Sequence, residues 1–136
     1  MSVKPKDRAA VYNRDGHMCV LAGVVNRFAE CWGPLTLQHT VNKGMGGSKL
    51  FDTPDLLVTM CNGHNTLATI NADFEQFCKE RCLVRSRNST RDPRVVPVLY
   101  PDGWHLLQGV ERVPTNAHTA VEYMVLIGAI QNREVA

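Results

Sequence analysis

Long apolar runs are missing from this chain. No stretch approaches the roughly 18 consecutive apolar residues that a membrane-spanning helix needs, so no membrane segment is expected. An excess of charge is missing too: 15 Lys and Arg stand against 13 Asp and Glu, a net charge of +2. That balance neither demands nor excludes a nucleic-acid partner. Basic residues open the chain (Lys4, Lys6, Arg8), but no apolar h-region follows them, so no secretory leader is expected. No internal repeat or low-complexity tract is visible, which excludes a repeat array. The five cysteines are an odd number. They argue for metal-bound or core thiols in a cytoplasmic protein rather than for a complete disulfide framework. At 136 residues, the chain is one domain, or a small domain with an appendage.

What the chain does contain is concentrated between Leu35 and Asn65. A short apolar alternation (Leu35, Leu37) predicts a strand that delivers Gln38 and His39 to its end. A glycine-rich turn with Gly44, Gly46 and Gly47 follows. The apolar run Leu56, Leu57, Val58 then leads to Cys61-x-x-His64-Asn65. Upstream, Pro5–Arg14 has helical spacing and stops at Asp15-Gly16, with its basic residues expected on an outer face. The segment from His17 to Cys31 reads as a loop or irregular hairpin. Downstream, Asn71 is a plausible N-cap for a helix whose Phe74, Phe77 and Cys78 share one face. Val95–Tyr100 and Trp104 onward, joined through Pro101-Asp102-Gly103, predict a β-hairpin. Ala117–Ile130 predicts an apolar helix capped by Asn116 or Thr115, packed on the domain or on a partner chain.

Cys19, Cys31, Cys61 and His64 form a candidate tetrahedral zinc set, because zinc takes thiolate and imidazole and can tie two separate chain ends together. Such a closed site would be structural, since no position is left for water. The competing reading makes Cys19 and Cys31 buried core thiols. Cys78 and Cys82, four apart on a predicted helix, fit core packing. Lys79, Arg81, Arg85, Arg87, Arg91 and Arg94 form a basic stretch that is either a solvated face or a phosphate-contacting one.

From about Arg8 to Arg85 these residues resemble the HNH endonucleases, in particular the compact bacteriophage-type members. The resemblance implies an α+β fold: a zinc-stapled ββα-metal core (residues 1–86) with an N-terminal helix, and a C-terminal hairpin and helix (residues 87–136). It implies hydrolysis of DNA phosphodiesters with His39 as general base. Gln38 and Asn65 would hold a catalytic Mg²⁺ or Mn²⁺ through amide oxygens. Lys43, Gly44, Gly46 and Gly47 would lie against a phosphate, with Arg85 and Arg87 as further DNA contacts. The chain departs from the family where Leu56 stands in place of the asparagine that orients the base. Asp55, one residue earlier, is the first candidate to take over that task, and Asp52 the second. The resemblance also implies a DNA-processing or packaging role beside a phage terminase in the host cytoplasm, with a partner protein docking on the C-terminal helix. The alternative carried by Leu56 and Gln38 is a catalytically silent HNH fold that binds DNA or protein.

Overall fold

The structure, a computed structural model, describes residues 3–41, 52–85 and 93–126. It is a small α+β domain with four helices and two small antiparallel sheets among those residues. Helix α1 spans Pro5–Arg14, with Pro5 in the first turn, where its missing N–H is not needed. It ends at Asp15, and Gly16 follows at φ +68°, a left-handed conformation that glycine adopts without strain. From Met18 to Pro34 the chain forms turns and bends without a strand.

Strand β1 (Leu35–His39) pairs antiparallel with β2 (Leu57–Cys61), Leu35 opposite Cys61 and His39 opposite Leu57. A single 3-10 turn, Pro54–Leu56, leads into β2. Every residue of β2 is buried. Leu57 packs with Val3 and Val11, Val58 and Met60 on the opposite face join the main core, and Cys61 at the strand end joins it too. Helix α2 (Asn62–Ile70) begins directly where β2 ends. Helix α3 (Ala72–Lys79) follows, and the Asn71 side chain caps it by accepting the Phe74 N–H. Phe74 and Cys78 are its buried residues.

The C-terminal part is a three-stranded sheet rather than the expected two-stranded hairpin. Strands β3 (Val98–Tyr100), β4 (Gly103–Gln108) and β5 (Glu111–Pro114) pair in sequence order. The unforeseen β5 is a mostly exposed edge strand, so it carries no apolar alternation for sequence reading to detect. Gly109, at φ +63°, makes the two-residue turn into it. Val98, Tyr100 and Leu107 pack in the same core as Val58, Met60 and Phe74. Residues 93–114 therefore share a core with the segment before residue 86. Helix α4 (His118–Leu126) lays Ala120, Tyr123 and Met124 against Cys82 and Val96. Asn116 accepts the His118 N–H at its start. Among the described residues no helix is long and apolar enough to cross a membrane.

A buried polar knot locks α1 to both sheets. The Arg14 guanidinium donates to the carbonyl oxygens of Pro54 (2.7 Å), Leu57 (2.6 Å) and Gly109 (3.2 Å). Its Nε also donates to Asp15, at 2.9 Å, and both side chains are almost fully buried. Asp15 in turn accepts the Tyr100 hydroxyl at 2.7 Å and the Thr59 N–H at 2.9 Å. Arg14 is thus drawn inward, where an outer face was expected for the basic residues of α1.

Candidate metal centre and adjoining cleft

The turn after α1, the bend before β1 and the β2–α2 junction converge on one point. Cys19, Cys31, Cys61 and His64 bring their ligand atoms within 4.8 Å of one another. Cys61 is the N-cap residue of α2, and its Sγ accepts the His64 N–H at 3.4 Å. One helical turn then places the His64 ring beside the sulfur. Glycine is needed at position 63, because a Cβ there would lie 2.2 Å from the Trp32 indole nitrogen. That close approach lets the Gly63 N–H donate to the Trp32 carbonyl at 3.0 Å, tying the Cys31 segment to α2.

The geometry fits a metal ion. A tetrahedral ion with bonds of about 2.3 Å to sulfur and about 2.0–2.1 Å to nitrogen sets those two ligand atoms about 3.6 Å apart. The observed distances from His64 Nδ1 are 3.3 Å to Cys61 Sγ and 3.7 Å to both Cys19 Sγ and Cys31 Sγ. The other ring nitrogen of His64, Nε2, lies 2.8 Å from the Ala29 carbonyl oxygen. A carbonyl can only accept, so Nε2 carries the proton and Nδ1 presents its lone pair to the cluster. Stacking on buried Phe74, at 5.4 Å between ring centres, holds the ring in that orientation. With protons in place of a cation, desolvation of the sulfur within the cluster pushes the Cys31 thiol up to about 12 even though the residue as a whole is exposed, reinforced by the neighbouring sulfurs of Cys19 and Cys61, and burial raises Cys19 likewise. A divalent cation reverses that balance by replacing the protons. The four residues can therefore hold a metal ion such as zinc. Cys78 packs in the same core as Cys19 and Cys61 without joining the four converging ligand atoms, and Cys82 lies in a second core.

At the other end of the hairpin His39 is part-buried, and its Nε2 lies 2.7 Å from Asp52 Oδ1. The carboxylate takes the Nε2–H, which leaves Nδ1 as the basic nitrogen. Asp55, the first candidate for this task, is committed elsewhere. The 3-10 turn Pro54–Leu56 directs it toward the β4–β5 turn, where it accepts the Gly109 N–H. The partner of His39 is Asp52, and Leu56 is fully buried in the core.

His39 also lines a cleft of about 470 Å³ with Leu37, Gln38, Asn65, Thr69 and Glu75. Both amides are fixed through nitrogen. Asn65 Nδ2 donates to Thr36 Oγ1 (2.8 Å) and the Leu37 carbonyl (3.3 Å), while Gln38 Nε2 donates to the His39 carbonyl (3.0 Å). Among the described residues, neither amide oxygen has a hydrogen-bond donor, so each can take a further ligand. Glu75, one turn beyond the Asn71 cap, was not foreseen on this cleft, since its place on α3 marks it only as an N-terminal acid.

Arg85 does not face solvent as a DNA contact would. It is fully buried, donating to the Val96 carbonyl at 3.0 Å and to Thr40 Oγ1, because the Val41–Arg85 bridge brings its backbone alongside the end of β1. Lys43, Gly44, Gly46, Gly47 and Arg87 lie outside the described residues. Compared with family models, with curated proteins and with solved structures, the chain finds no match.

Proposed function

We propose that this protein is an HNH-type DNA endonuclease, with a structural zinc ion on Cys19, Cys31, Cys61 and His64 and hydrolytic chemistry at the His39 cleft. The observation that carries the reading is the Asp52–His39 pair at the end of β1, on a cleft shared with the amides of Gln38 and Asn65. Asp52 orients the imidazole and offsets the positive charge the ring gains on taking a proton. His39 Nδ1 removes a proton from water, and the resulting hydroxide attacks phosphorus in line with the departing oxygen. The P–O bond opposite breaks, and solvent protonates the leaving alkoxide. The amide oxygens of Gln38 and Asn65 would hold Mg²⁺ or Mn²⁺, which would supply positive charge to offset the negative charge developing on the phosphodiester. Glu75, the one carboxylate lining the cleft among the described residues, favours a cation there before a phosphodiester enters.

The test is cleavage of supercoiled plasmid DNA with Mn²⁺ or Mg²⁺ beside a zinc measurement. Nicking by the native chain, lost in His39→Ala with zinc content and fold retained, is the expected result. An inactive native chain across several divalent ions and DNA forms overturns the nuclease reading. The burial of Leu56, where the family carries asparagine, supports a second reading. In it the fold binds DNA or protein without turnover, and salt-sensitive DNA retention with no cleavage is its signature.

A further inference from the structure

The four ligand atoms of the metal centre are unequally protected. Cys19 Sγ accepts the Leu21 N–H at 3.4 Å, Cys61 Sγ accepts the His64 N–H at 3.4 Å, and both residues are buried. Cys31 is exposed. Among the described residues, the contacts of its sulfur are with the other ligands, His64, Cys19 and Cys61. An N–H···S bond draws electron density from a thiolate and blocks one approach to it, so a sulfur without one is the better nucleophile. A cavity of about 470 Å³ is lined by Leu21, Val24, Val25, Asn26, Cys31 and His64 among others. Its mixed walls, Val24 and Val25 beside Asn26 and Glu30, suit a small polar molecule such as hydrogen peroxide.

We propose that Cys31 is a peroxide-reactive ligand, a modification site at which hydrogen peroxide oxidises the metal-bound thiolate and so ejects the ion. The Cys31 sulfur attacks one peroxide oxygen, the O–O bond breaks, and the departing hydroxide takes a proton to become water. The sulfenic acid left on Cys31 is then attacked by the Cys19 thiolate, which expels the second oxygen as water and closes a disulfide. Two thiolates lose two electrons in total, one peroxide is reduced to two waters, and solvent supplies the protons.

Cys19 is the partner because it lies on the same helix- and strand-free segment as Cys31, whose exposed end can shift toward the core-held Cys19 to reach the roughly 2 Å sulfur separation of a disulfide. Cys61 is pinned by pairing with Leu35 across the hairpin. Losing two of four ligands releases the cation. This inference needs the ion to be bound and is independent of the nuclease reading.

The experiment titrates the zinc-loaded full chain with hydrogen peroxide, reads free zinc with a chromogenic chelator, and maps thiols by alkylation and mass spectrometry. One zinc ion lost per peroxide consumed, with Cys19 and Cys31 linked and Cys78 and Cys82 still reduced, is the expected result. Oxidation that begins at Cys61, Cys78 or Cys82 overturns the proposal. So does zinc loss while Cys31 stays a thiol, or a chain that takes up no zinc. Cys31→His keeps a ligand and removes the sulfur. It should hold zinc and resist peroxide, and zinc release at the native rate overturns the assignment. Should that variant fail to fold, the order of oxidation in the native chain decides alone.

Discussion

Replacing Asp15 by alanine tests the buried knot that joins α1 to both sheets. In the native chain the carboxylate receives the Arg14 guanidinium, the Tyr100 hydroxyl and the Thr59 N–H. Removing it strands a buried guanidinium, which costs about 3–5 kcal/mol when an ion pair of this kind loses one member. It also deprives two buried donors of their acceptor, at about 1–3 kcal/mol each before relaxation. Neighbouring losses do not add fully, so the expected total is about 4–6 kcal/mol. A domain of this size has about 5–15 kcal/mol in all, so Asp15→Ala should be largely or marginally unfolded at room temperature. Tyr100→Phe removes one donor and leaves the ion pair, so about 1–2 kcal/mol is expected. Asp15→Asn keeps an acceptor but loses the charge and should fall between them. Urea unfolding followed by tryptophan fluorescence ranks the three. An Asp15→Ala variant within about 1 kcal/mol of native would refute the claim that this pair is buried and mutually dependent.

Leu56→Asn, which installs the asparagine that the proposed HNH reading would place there, should not create or raise nuclease activity. Its side chain enters the core and should lower stability by about 2–4 kcal/mol, read by the same urea assay. Increased plasmid nicking in that variant would contradict the assignment of Asp52 as the partner of His39. Asp52→Ala should retain zinc and fold while plasmid cleavage drops by about 10²–10⁴-fold, measured as initial rate in Mn²⁺. Burial pushes the Cys78 and Cys82 thiols up to about 12 from an ordinary value of 9.0. A raised pKa in the folded state means that their contribution to stability is complete below about pH 9 and is lost as pH rises toward 12. Denaturation at about pH 8 and about pH 10.5 should show that fall, and Cys78→Ala should flatten part of it. A stability that is level across this range would show that these thiols are not desolvated.

Features written in near neighbours were legible in the sequence alone. The helix Pro5–Arg14 with its stop, the strand Leu35–His39, the Asn71 cap and the one-turn spacing of Cys61 and His64 are local. Each is fixed by backbone preferences or by the helical repeat. The sequence also supplied four thiol and imidazole groups of the kinds that bind zinc.

Tertiary structure alone decided which side chains meet. Asp52 and not Asp55 reaches His39, because a 3-10 turn rotates the latter toward Gly109. Arg14 and Arg85 look like surface cations in a one-dimensional reading. In the fold they are buried, because carbonyl oxygens from distant segments and, for Arg14, the Asp15 carboxylate stand ready to receive them. Charge and residue type belong to the chain, whereas burial and partnership belong to contacts between segments far apart in sequence, and only the folded chain sets those.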